Sequence, residues 1–102
     1  MKPLLSYLVV RLDLSHAQQV VQASHAAMMV GNNMPSREKE PVHLAVLSVN
    51  NQEELMRVVK ELEKCEWPYE IFDEPDNNTG YTALCTYPRT IRCNVLSKLS
   101  LL

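Results

Sequence analysis

One hundred and two residues, 46% hydrophobic and 22% charged, have the size and make-up of one compact domain spanning 1–102, too short for two cores and too apolar to be disordered. The formal net charge of -2, from 10 Lys and Arg against 12 Asp and Glu, lacks the basic excess of a generic nucleic-acid or membrane-surface binder. Cys65, Cys85 and Cys93 cannot all pair internally and none sits in a C-x-x-C or His-rich metal pattern, so they read as reduced thiols of a cytoplasmic protein. The average conceals a segregation. Residues 53–76 hold nine acids against three bases, a net of -6, and the remainder carries +4.

In chain order, Leu4 to Leu12 is a near-continuous apolar run, as in a central strand covered on both faces. It is too short to span a bilayer, and Arg11 and Asp13 follow without a small-residue cleavage site, which argues against a secretion signal. Asp13-Leu-Ser-His leads into a helix from Ser15 to Val30, with Ser15 as N-cap, Gln18 as capping-box partner and Gly31 as the stop. Asn32 to Pro41 reads as a solvent loop. Val42 to Val49 is a second strand of buried character. Asn51 caps a second helix with Glu54 at the box position, and Leu55, Val58, Val59 and Leu62 form its apolar face. Tyr69 to Asp73 alternates as a short strand, Glu74 to Gly80 is turn-rich, and Tyr81 to Tyr87 is a fourth strand. Pro88 suits the first turn of a last helix with Ile91, Val95 and Leu99 four apart.

The order β-α-β-α-β-β-α predicts an α/β fold: a four-stranded mixed sheet with helices on both faces. Two glycines in the whole chain, and no G-x-G-x-x-G after the first strand, argue against a dinucleotide or phosphate-loop site. In open α/β sheets ligands gather beyond the carboxyl ends of the parallel strands. That edge collects Arg11, Asp13, Asn50, Asn51, Asp73, Glu74 and Asp76. The first helix adds Gln18, Gln22, His25 and Met29 on one face. Each has a structural reading as well as a functional one. His25 is either a hydrogen-bonded packing residue or a site group, and Gln18 is adequately explained as a cap partner. Asp13 can accept backbone amides in the strand-to-helix turn with Arg11 as its ion-pair partner, and Glu74-Pro-Asp76 can be a solvated turn. His16 and His43 have no partner pattern.

Tyr7-Leu-Val-Val-Arg-Leu-Asp-Leu14 followed by Val20-Val-Gln-Ala-Ser-His-Ala-Ala27 resembles the opening strand and helix of the type-2 (archaeal/eukaryotic-type) peptidyl-tRNA hydrolases, where V-V-R-x-D-L precedes A-A-Q-x-x-H-A. The resemblance continues through Asn51-Gln-Glu-Glu-Leu55, Tyr81-Thr-Ala-Leu84 and Lys98-Leu-Ser-Leu-Leu102. The Glu74-Pro-Asp76 turn most resembles a divergent branch, the peptidyl-tRNA hydrolase domain-containing proteins. The family fold, a mixed four-stranded sheet flanked by helices, agrees with the pattern above. The resemblance implies hydrolysis of the ester joining a peptidyl group to the 3′ end of tRNA, with no metal and no organic cofactor. It implies peptidyl-tRNA as partner, neither DNA nor membrane, a cytoplasmic location and, since relatives often form homodimers, a homodimer.

Carried over residue by residue, the resemblance makes His25 the base or water-orienting group, Asp76 (or Asp73) the site carboxylate and Thr82 a hydrogen-bond donor. Arg11, Asp13, Gln18 and Gln22 shape the substrate pocket, with Arg37, Lys39, Arg89 and Arg92 as candidate rim cations. The chain departs from the family in two places. The functional Lys falls at Gln18, which supplies no cation, and D-A-G-R-T is replaced by Asp73-Glu-Pro-Asp-Asn-Asn-Thr79. The second function class is a non-catalytic RNA- or protein-binding module that retains the fold.

Overall fold

The computed structural model describes residues 4–34, 42–90 and 93–102, so Arg37, Lys39, Ile91 and Arg92 lie outside the described residues. Strand β1 (Leu4–Arg11) leads to helix α1 (His16–Asn33), strand β2 (Val42–Val49) and helix α2 (Gln52–Lys64). Strand β3 (Tyr69–Glu74), a 3₁₀ turn at Asp76–Asn78 and strand β4 (Gly80–Thr86) follow, then a second 3₁₀ turn at Leu96–Lys98 and a short strand β5 (Ser100–Leu101). The sheet order is β3-β4-β1-β2-β5. β1 and β2 are parallel; β4 lies antiparallel to β1 and β3, and β5 antiparallel to β2.

The two N-caps act where they were expected, while the Gln18 side chain turns to Gln22 instead of closing the first capping box. Ser15 accepts the Gln18 N–H at 3.2 Å, and Asn51 accepts the Glu54 N–H at 3.0 Å, so each helix has one orphan donor satisfied. The return half of the second box is displaced by one residue: Glu54 accepts the N–H of Asn50, at 2.7 Å, rather than that of its cap. α1 runs past Gly31 to Asn33, and Met34 closes it by donating to Gly31 O.

Alternating side chains of the central strands feed two cores. Tyr7, Val9, Leu47, Val49 and Leu84 pack against Leu55, Val58, Val59 and Leu62 of α2, with Trp67 and Leu96. Leu8, Val10, Ala83 and Cys85 meet Ala26 and Val30 of α1 on the opposite face. Helices on both faces of a mixed α/β sheet are therefore present.

Three expectations are corrected. Among the described residues the sheet has five strands, not four. The final helix is replaced, among the described residues, by a 3₁₀ turn and β5, because the chain buries Cys93 and Leu96 under α2 and then adds itself to the free edge of β2. The buried character of β2 holds only for its second half. Leu44 is 56% exposed and Val42 is also exposed, since α1 contacts β1, β3 and β4 and leaves the start of β2 uncovered.

Candidate functional site

The carboxyl ends of β1, β2 and β3 share one edge, and five side chains assemble there from α1 and β3. Gln22, on the buried stripe of α1 and 1% exposed, donates from Nε2 to Gln18 Oε1 at 2.9 Å and to Glu74 Oε2 at 3.0 Å. Glu74 Oε1 accepts the Asp76 N–H at 3.2 Å. One helical turn beyond Gln22, the His25 ring stacks on Phe72 with centroids 4.4 Å apart and planes 10° off parallel. Phe72 and Glu74, two residues apart on β3, thus both face α1, and a register irregularity between Phe72 and Asp73 adjusts the strand at that point.

The amide orientation of Gln22 follows from its partners. Both are acceptors, so Nε2 must face them, and Oε1 is left buried without a hydrogen-bond partner. The Gln22 amide, followed by the Asp76 N–H, holds the Glu74 carboxyl below the usual carboxylate range; burial opposes this and the nearby His25 adds to it. Glu74 is therefore ionised at neutral pH and shares a surface with His25.

Arg11 and Asp13 form a second cluster with a different task. The guanidinium grips Asp13 with Nε and Nη2 at 2.8 Å each, and its Nη1 donates to the carbonyls of Thr79 and Tyr81 at 2.6 and 2.9 Å. The end of β1 is thereby latched to the loop between β3 and β4. A further latch comes from the start of α2, where Gln52 Oε1 accepts the Tyr81 N–H at 2.6 Å. Gly80 has φ +77°, and a Cβ there would collide with the Gln52 side chain, so this position requires glycine. The loop also holds Asn77 and Asn78 at φ 56° and 55°. Asp13 is held below its ordinary range chiefly by its hydrogen bond to Arg11, against some burial, with Coulomb attraction to Arg11 reinforcing it.

Gln18, Gln22 and His25 are brought together as the helical spacing indicated. Asp76 stands exposed in the 3₁₀ turn, its backbone N–H rather than its carboxylate engaged with Glu74. Asp73 is exposed between the two α1-facing positions. Thr82 is fully buried, and its hydroxyl donates to Phe72 O at 3.2 Å, an inter-strand tie that leaves it no access to a substrate. The sequence sets Glu74 at this edge beside Asp73 and Asp76 without singling it out. Its signal was the two-residue offset from Phe72, which puts both on the side facing the α1 stripe.

Among the described residues no three His, Cys, Asp or Glu side chains gather as a metal site requires, and no helix is long and apolar enough to cross a membrane. The chain matches no family model and no curated protein. Among solved structures it is similar to Atu0240, a protein of unknown function from Agrobacterium tumefaciens strain C58. The two share 11% identity with a TM-score of 0.72 over 100% of this chain and 99% of that one. At that identity the likeness establishes architecture alone: a mixed α/β sheet.

Proposed function

We propose that the chain is a cytoplasmic ester hydrolase of the peptidyl-tRNA class, cleaving the bond between a peptidyl carboxyl and the 3′ ribose of tRNA. The observation that carries the reading is the Gln18–Gln22–Glu74 hydrogen-bonded chain beside the stacked His25, at the strand edge where the sequence resemblance sets the family's site. The reaction needs an activated water, a stabilised oxyanion and a proton for the departing ribose oxygen. His25 takes the proton from water and returns it to the ribose oxygen. Glu74 stabilises the imidazolium electrostatically, and Phe72 fixes the ring plane. Gln18 Oε1 is turned to Gln22, which leaves its Nε2 to donate to the carbonyl oxygen, a weaker electrophile than a lysine. Arg11 and Asp13 act indirectly, by holding the loop that follows Glu74.

The test is release of the acyl amino acid from N-acetyl-aminoacyl-tRNA by purified full-length chain. His25→Ala is expected to lose about 100-fold or more in rate, as for removal of a general base, and Glu74→Gln to lose less while shifting the pH profile. Asp76→Ala is expected to stay near wild type, since its carboxylate is not what contacts Glu74. Unchanged rates in both His25→Ala and Glu74→Gln would overturn the assignment. A second reading, a binding module without catalysis, is favoured by one observation: the Arg11 charge is spent on Asp13 and two carbonyls. A folded wild type that binds tRNA without releasing the acyl group would select it.

A further inference from the structure

The two helices have outward sides of opposite chemistry. α2 carries seven charged side chains in 13 residues, as a helix facing water does. α1 is 18 residues long and holds no Asp, Glu, Lys or Arg. The side it turns away from its own sheet carries Ala17, Val20, Val21, Ser24 and Met28, all exposed, with Val20 at 67% and Met28 at 63%. Beside α1 the sheet is bare. α1 packs on β1, β3 and β4, while Val42, Leu44 and Val46 of β2 point to its side of the sheet and Ala45 and Leu47 alternate into the α2 core. Leu102, whose N–H donates to Val46 O, extends this surface past β2. Between them lies an open groove of about 580 Å³ that follows α1 from His16 to Ala27, with Leu8, Leu44, Val46 and Leu102 along its other side. Among the described residues no Asp, Glu, Lys or Arg lines it.

We propose that this face is the contact between two copies of the chain, related by a two-fold axis that lays α1 of each copy over the open half-sheet of the other. An apolar half-sheet calls for a packed layer, and the space beside α1 has the depth of a helix, about 10 Å. The occupant must be a helix with an uncharged outer side. α1 has such a side and α2 does not. In the pair, the two α1 helices lie next to each other between the two sheets. Each keeps its buried stripe on its own sheet and turns Val21 and Met28 to the partner's. One operation thus covers both exposed surfaces on both copies, as an isologous interface requires. No Asp, Glu, Lys or Arg side chain of the groove has to be stripped of water. A stable pair takes about 800 Å² from each partner, about an eighth of the 6522 Å² surface of this chain. α1 is about 27 Å long, and with β2 and β5 beside it the face is about 20 Å wide, a corrugated area of that order. His25 and Gln22 look toward β3 on the other flank of α1, so the contact and the proposed reaction stand or fall separately.

The experiment is sedimentation equilibrium of the full-length chain at about 100 μM, above the micromolar limit for interfaces of this size. The expected mass is twice the 11.7 kDa of one chain. Met28→Glu and Leu44→Glu each bring two carboxylates into the contact and raise the dissociation constant about 100-fold or more. Both positions are exposed in the single chain, so the circular dichroism spectra of these variants match the wild type. Val95→Glu, exposed on the α2 side, leaves the dimer intact. A wild-type chain that stays at 11.7 kDa leaves the face to an unlike partner and overturns the proposal. A dimer that survives both Met28→Glu and Leu44→Glu, or that Val95→Glu alone dissolves, overturns it as well.

Discussion

Arg11→Met tests whether the latch at the end of β1 is structural in the way its geometry implies. The substitution keeps an apolar stem in a position that is 8% exposed and deletes four donated hydrogen bonds. The two bonds to the Thr79 and Tyr81 carbonyls are charge-assisted and contribute about 1.5 kcal/mol each, the low end of the range because both carbonyls lie near water. The Asp13 pair contributes about 0.5 kcal/mol, since the Asp13 side chain is 41% exposed. The expected loss is about 3.5 kcal/mol, a fall in unfolding midpoint of about 16 °C for a domain of this size. Asp13→Ala removes only the exposed pair and should cost less than half as much. The two variants also differ in acid. The folded Asp13 pKa is depressed, so its contribution is present above the unfolded value, about 3.9, and lost as pH falls through the folded one. In Arg11→Met that part of the acid dependence disappears. Urea titrations of both variants at several pH values supply the measurement. A cost below about 1 kcal/mol for Arg11→Met, or equal costs for the two, would show that the carbonyl bonds hold nothing in place.

Gly80→Ala combines a left-handed backbone with a collision against Gln52, and should destabilise by about 2–3 kcal/mol with part restored in the Gln52→Ala background; additive thermal shifts would refute the contact. Thr82→Val removes the buried hydroxyl that ties β4 to Phe72 O, and should cost about 1 kcal/mol in a denaturant titration while leaving ester hydrolysis unchanged, whereas a substrate-contacting Thr82 would lose rate. The Cys85 thiol is pushed up to about 11 by burial, so a disulfide reagent at pH 8 should modify it only when the chain unfolds. The Glu74 pKa is depressed in the folded state, so its stabilisation holds above the unfolded value, about 4.3, and is lost as pH falls through the folded one. Gln22→Ala should move the Glu74 titration, followed by NMR, toward the unfolded value.

The elements legible in the sequence were those with a period or a cap. Ser15 and Asn51 mark the first turns of α1 and α2, and the 3.6-residue spacing of Leu55, Val58, Val59 and Leu62 marks the buried face of α2. A continuous apolar run such as Val42 to Val49 says that a strand exists but not what covers it, and here the start of β2 is left open. Spacing also misled at the C-terminus, where Val95 and Leu99, four apart, flank a 3₁₀ turn as its caps and β5 is too short to carry a pattern. In the site, Gln18, Gln22 and His25 followed from one helix. The carboxylate did not, because three acids crowd the end of β3 and only the strand's orientation against α1 selects Glu74. The burial of Thr82 was not legible for the same reason: motif order gives a residue type, whereas access depends on which strand face is sealed.

Charge decides how such a site meets a polyanion. Among the described residues this edge presents Glu74, Asp73, Asp76 and Asp13, and its one buried cation, Arg11, already has four of its five N–H donors engaged. Gln18 is exposed at the first turn of α1, where the resembling family carries a lysine, and it touches the acidic group only through the Gln22 amide. Gln18→Lys therefore adds a cation on the face where the proposed substrate docks. If the tRNA 3′ end lies there, one added phosphate contact steepens the plot of log affinity against log salt by about 0.9 and raises affinity most at low salt. If Glu74 captures the ammonium instead, affinity stays flat but the Glu74 titration moves further down, which NMR separates from the first outcome. A slope and a titration both unchanged would mean that residue 18 faces neither the RNA nor the carboxylate, and the docking face would have to be sought elsewhere on the sheet.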